Sequence, residues 1–123
     1  MPALSLDRRE LAAIFLGGFA GAVARAALAE AVPPDAGAWP WATFAVNLVG
    51  AFLLGLVVNG GPRPRYARSL LGTGFCGALT TFATLQLELL RMLDDGRWLL
   101  AAGYAAASVA GGLLAVTAGS RAA

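Results

Sequence analysis

The chain has no histidine, no lysine and a single cysteine, Cys76. A zinc site, a Cys–His nucleophile pair and an internal disulfide are thereby excluded. Without lysine there is no Walker-type phosphate loop. Charge is scarce too: 13% of the 123 residues are charged, about half the roughly 25% of a soluble domain. The basic residues are all arginine, and they are scattered along a chain of net charge +2, which argues against a nucleic-acid surface. The carboxylates fall in loops or near the ends of apolar runs, so no acid–base pair is visible and an enzyme is not expected.

What is present is hydrophobicity, at 59% of residues, gathered into four runs at about residues 11–32, 41–58, 69–93 and 98–118. Each is near the length of roughly 20 residues that crosses a ~30 Å hydrocarbon core. The runs are separated by strong breakers: Pro33-Pro34, Asn59-Gly60-Gly61-Pro62 and Asp94-Asp95-Gly96. Trp39, Trp41 and Trp98 stand at run ends as interfacial anchors. The expected fold is a single all-α integral membrane domain with four transmembrane helices. Ala22-Val23-Ala24 is similar to a cleavage site, but the run that holds it is too long for a signal peptide, so it reads as a retained span.

The third run is the unusual one. Gly72, Gly74 and Gly77 precede Thr80, Thr81 and Thr84, which are interleaved with Phe82. Glycine weakens a helix interior, and threonine offers its hydroxyl to a carbonyl or a ligand. At membrane depth, irregular backbone is tolerated where protein buries it or where it lines a watery path. The third helix is therefore expected to break near the bilayer midplane, in the manner of an ion-handling site. In the first run Gly17 and Gly21 form a small-xxx-small pair for close helix approach. Arg25, one turn beyond Gly21, reads either as snorkelling to the headgroups or as lining an aqueous vestibule. The second is favoured, because a charge within a span is costly. Thr43 and Asn47 share a face, with Asn47 either interhelical glue or a ligand contact, glue being the commoner. Glu88 and Arg91 are three residues apart and read as a helix-end pair near the interface. Tyr104 and Ser108 share a face of the fourth run.

Four spans put both termini and the second connection on one side. That side carries Arg8, Arg9, Arg63, Arg65, Arg68 and Arg121, against Arg91 and Arg97 (and Arg25, if included) on the other. The positive-inside rule then places the termini in the cytoplasm of a multi-pass plasma-membrane protein.

Three motifs carry a resemblance that covers essentially the whole chain. They are Gly21-Ala22-x-x-Arg25, Thr43-x-x-Val46-Asn47-x-x-Gly50 and Gly74-Phe75-Cys76-Gly77-x-x-Thr80-Thr81-Phe82-Ala83-Thr84. The sequence resembles the bacterial fluoride channel family, Fluc or CrcB. The resemblance implies a fluoride-selective channel that exports the ion passively, built as a dimer of antiparallel subunits with two pathways. It implies a structural, non-transported Na+ at the dimer interface, held by backbone carbonyls that correspond to Gly77 and Thr80. It implies a fluoride pathway through Asn47, Phe82, Thr81, Thr84 and Ser108, with Tyr104 nearby; Arg25, read above as lining the vestibule, and Thr43, on the face of Asn47, are added as candidates for the same pathway. Two positions depart from the family pattern: Leu85 stands where a second pore phenylalanine is expected, and Ala83 where a serine is common. The six-to-two arginine bias suggests a fixed orientation, and hence an oppositely oriented paralogue as the second subunit in place of a copy of the chain itself.

Two other classes share four short spans. A small multidrug-type exporter needs a carboxylate deep in the first span, where this chain has Arg25 and only Glu30 at the edge. A non-transporting assembly subunit would use the glycine faces but leave Asn47, Thr80 and Thr81 idle.

Overall fold

The computed structural model describes residues 7–31, 39–61 and 64–123. The expected proline loop at 32–38 and Arg63 lie outside the described residues. Four helices are long and apolar enough to cross a membrane: Arg8–Ala31, Trp41–Asn59, Arg65–Asp94 and Trp98–Ala122. They are called here the first to fourth spans. No strand occurs among the described residues.

The helices outrun the apolar segments because polar residues at their ends find partners. The first span starts at Arg8, where Asp7 caps it: Arg9 N–H donates to Asp7 Oδ1 at 2.9 Å. The third starts at Arg65, straight after Pro64. Its polar opening turn is held by the first span, with Tyr66 Oη donating to Asp7 Oδ2 at 2.8 Å and Arg65 paired to Asp7 and Glu10. The fourth runs on to Ala122, where Asn59 Nδ2 donates to Ser120 Oγ at 2.6 Å. Arg68 donates to the Val58 carbonyl at 3.1 Å. These bonds gather the starts of spans one and three and the ends of spans two and four at one end of the bundle.

The third span is interrupted. Its leading arm, residues 65–79, winds as a π-helix from Ser69 to Cys76 and ends at Leu79. Thr80 (φ −76°, ψ 149°) and Thr81 (φ −146°, ψ 108°) are extended, and the trailing arm Phe82–Asp94 then begins. Local π winding often accompanies functional sites. Gly96, at φ +75°, supplies the left-handed turn into the fourth span.

Glycine contacts set the packing. A Cβ on Gly17 would fall on the Leu70 carbonyl, and one on Gly74 would lie 2.6 Å from the Ile14 carbonyl, so the first span and the leading arm touch backbone to backbone. The second and fourth spans cross the same way, Gly55 lying against the Val116 carbonyl and Gly119 against that of Phe52. Both crossings need small residues because lipid provides no hydrophobic drive and close van der Waals contact must hold the helices. A buried cluster of Met92, Ala101 and Tyr104, flanked by Trp39, Phe44, Leu85 and Leu89, joins the trailing arm to the fourth span and the start of the second.

Candidate functional site: a helix break lined by hydroxyls and an amide

The break separates two sets of backbone groups. In an unbroken helix the Thr81 N–H would close on the Gly77 carbonyl and the Thr84 N–H on that of Thr80. Here the Thr81 N–H donates to Asn47 Oδ1 at 2.9 Å, and the Thr84 N–H donates to Thr81 Oγ1 at 3.2 Å. The carbonyls of Gly77 and Thr80 thus lose their usual donors. Thr81 is the N-cap of the trailing arm, and that helix start carries a positive dipole end. Carbonyl oxygens gather on one side of the break and N–H donors on the other, as in the discontinuous helices of transporters.

Arg25 uses this geometry. Its Nε donates to the Ala78 carbonyl at 3.1 Å, an acceptor that an unbroken helix would give to Phe82 N–H. Arg25 also lines a cavity of about 160 Å³, together with Thr43, Val46, Thr81 and Thr84. Four of the expected residues from three spans thus meet at one cavity. Arg25 thus points into the protein, its guanidinium bonded to the Ala78 carbonyl and lining the cavity, and not out to the headgroups. Asn47 resolves similarly. Its oxygen is glue, accepting from the break, while its Nδ2 amide has no acceptor among the described residues.

Thr81 Oγ1 and Thr84 Oγ1 are 3.0 Å apart. One hydrogen joins them, and since Thr81 Oγ1 also accepts the Thr84 N–H, the second hydroxyl hydrogen is left over for a ligand. Thr80 faces elsewhere, its hydroxyl donating to the Cys76 carbonyl at 2.9 Å. Ser108 Oγ is buried without a hydrogen-bond partner among the described residues. Phe82 is 71% exposed on the isolated chain.

Glu88 differs from its expected place. It does not pair with Arg91 at a helix end. It accepts from Thr43 Oγ1 at 2.9 Å and from Tyr104 Oη at 2.8 Å, and Tyr104 is fully buried. The signal was available in the spacing, because Glu88 lies one turn beyond Thr84 on the same helical face. Trp39 was read as an anchor only. Its indole N–H is buried without a partner among the described residues, and its ring meets Tyr104 edge-on at 5.2 Å. Leu85, at the departure from the family pattern, packs against the buried cluster around Tyr104.

A four-span bundle whose third helix breaks at Thr80 and Thr81, beside a cavity that Arg25, Thr43, Thr81 and Thr84 help to line, has the construction of a membrane ion channel. The comparisons agree. Residues 12–120 match the family described as CrcB-like protein, Camphor Resistance (CrcB). A relative from Mycolicibacterium paratuberculosis, named fluoride-specific ion channel FluC 1, is 55% identical over 114 residues, covering 89% of this chain and 86% of the relative. The fluoride-specific ion channel FluC of Chlorobaculum tepidum is 48% identical, covering 84% of this chain and 85% of its own length. The FluC 1 protein of Cutibacterium acnes is 42% identical over 118 residues. The chain belongs to the CrcB family.

Proposed function

We propose that the chain is a fluoride-selective channel that lets the ion leave the cytoplasm passively. The observation that carries this reading is the break itself. Asn47 holds the Thr81 N–H with its oxygen while its amide hydrogens find no acceptor among the described residues, next to the spare hydroxyl hydrogen of the Thr81–Thr84 pair. These are fixed donors for a small, strongly hydrated anion whose water must be replaced on entry. The positively charged Arg25 side chain raises the local concentration of anions in the vestibule, with Thr43 beside it. Phe82 would turn the positive edge of its ring toward the ion. Ser108 brings a buried hydroxyl with no partner among the described residues. Tyr104 spends its hydrogen on Glu88, so it shapes the path by fixing that carboxylate.

The second subunit is an antiparallel four-span partner, with the termini of this chain cytoplasmic in the plasma membrane. Three features support a partner. Phe82 is 71% exposed, Gly77 is exposed, and a Cβ at Gly77 would meet nothing within 4 Å in its own chain. The arginine bias favours an oppositely oriented paralogue over a second copy.

The break fits a structural Na+ at the interface. The carbonyls of Gly77 and Thr80 have lost their helical donors, and a hard cation takes such oxygens. Bound there, the ion would supply positive charge that holds two breaks together.

Fluoride efflux from proteoliposomes, followed with a fluoride electrode against chloride, tests the reading with the partner subunit supplied where efflux needs one. Wild type is expected to release fluoride and retain chloride, and Asn47→Ala or Phe82→Ile to slow release at least tenfold, a barrier change of about 1.4 kcal/mol. Unchanged efflux in both variants would overturn the site.

A further inference from the structure

We propose that the termini end of the bundle carries a binding groove for one anionic phospholipid, between the first span and the leading arm of the third. The groove has a volume of about 380 Å³ and is open along one side. Its floor is apolar, made by Ala12, Ala13, Leu16 and Leu70, while Arg9 and Tyr66 stand at its end. Both lie in the opening turns of their spans, so the groove runs from headgroup level into the hydrocarbon. This is the shape and polarity of a phospholipid, with an acyl chain on the floor and a phosphate at the mouth.

Charge complementarity selects an anionic headgroup. The carboxylates at this end are already taken: Asp7 accepts from Tyr66 and pairs with Arg65, and Glu10 pairs with Arg65. The Arg9 guanidinium has no carboxylate partner among the described residues. The described residues of this end of the bundle also include Arg8, Arg65, Arg68 and Arg121, with Asp7 and Glu10 as the acidic side chains. The opposite end sets Glu30, Asp94 and Asp95 against Arg91 and Arg97. A phosphate is thus attracted to this end and not the other. The Tyr66 ring, between its hydroxyl bond to Asp7 and the groove wall, sits as interfacial tyrosines do. The inference depends on the chain spanning a membrane and is independent of the ion it conducts.

The full chain, with its partner subunit where one is required, is released from nanodiscs of equimolar phosphatidylglycerol and phosphatidylcholine, and retained lipids are counted by native mass spectrometry. Wild type is expected to retain phosphatidylglycerol in preference. Arg9→Gln should reduce that preference about fivefold, the effect of one interfacial charge. Ala12→Trp, which fills the floor, should abolish it, while Arg121→Gln, at the same end but off the groove, should leave it intact. Circular dichroism of each variant verifies the helices. An undiminished preference in Arg9→Gln or in Ala12→Trp overturns the proposal. So does an equal loss in Arg121→Gln, which would mean diffuse surface charge, or a loss of subunit association in Ala12→Trp, which would mean that protein covers the groove.

Discussion

Glu88 shows how one side chain gains its role from neighbours. Its two oxygens each accept a hydroxyl, from Thr43 on the second span and Tyr104 on the fourth. It thereby ties three spans together beside the proposed ion path. Removing the carboxylate leaves two sheltered hydroxyls without an acceptor, at about 1–3 kcal/mol for each that stays unpaired. Glu88→Ala is therefore expected to lower thermal stability in detergent clearly. Glu88→Gln should lower it less, because the amide oxygen still accepts from one hydroxyl and its NH2 can donate to the other. Equal melting temperatures for wild type and Glu88→Ala would show that the three-span tie is not made. Arg25 and Asn47 follow the same logic, for each gains its place from the break, Arg25 by donating to the Ala78 carbonyl and Asn47 by accepting from the Thr81 N–H.

The third span is an element built to fail as a continuous helix at one place. Its leading arm lies backbone to backbone on the first span through Gly17 and Gly74, and its trailing arm starts afresh from the Thr81 cap. The crossing makes a sharp distinction between adjacent residues. A Cβ at Gly17 would collide with the Leu70 carbonyl, whereas one at Gly18 would sit 3.8 Å from the Gly74 carbonyl, an ordinary contact. Gly17→Ala is expected to cost about 1–3 kcal/mol, as overpacking does, and Gly18→Ala far less. Unfolding in mixed micelles compares them, and equal stability of the two variants would contradict the crossing geometry.

At the scale of the molecule, asymmetry between the two ends is the main physical fact. The termini end is closed by a polar strut in which Tyr66 bonds to Asp7 and holds its carboxyl below the usual aspartate range, aided by Arg9 N–H and Arg65. A depressed carboxyl pKa means that the folded state binds the proton less well than the unfolded chain. The strut's contribution is thus complete above the ordinary aspartate range and disappears as pH falls below it. Tyr66→Phe is expected to flatten this acid-side dependence, read as thermal stability from pH 6 down to about pH 3. The same end bears the arginine excess, so a single orientation is expected. Cysteine tags at both termini, in a Cys76→Ser background and probed with an impermeant reagent, should label from the cytoplasmic side only. Comparable labelling from both sides would refute a fixed orientation.

Composition alone determined the membrane class, since so few charges and such long apolar runs leave no other way to satisfy backbone groups. The glycines and threonines between Gly72 and Thr84 also announced the break, because local propensity suffices to weaken a helix. The pairings that make the break a site came only with the tertiary structure. Asn47 reaching Thr81, Arg25 reaching Ala78 and Glu88 reaching Thr43 join residues at least 34 positions apart. Such contacts depend on how helices cross, and that is set by glycine contacts between spans. No pattern along one span records it. For the same reason Glu88 read as half of a helix-end pair with Arg91 near the interface until the second and fourth spans were placed against it.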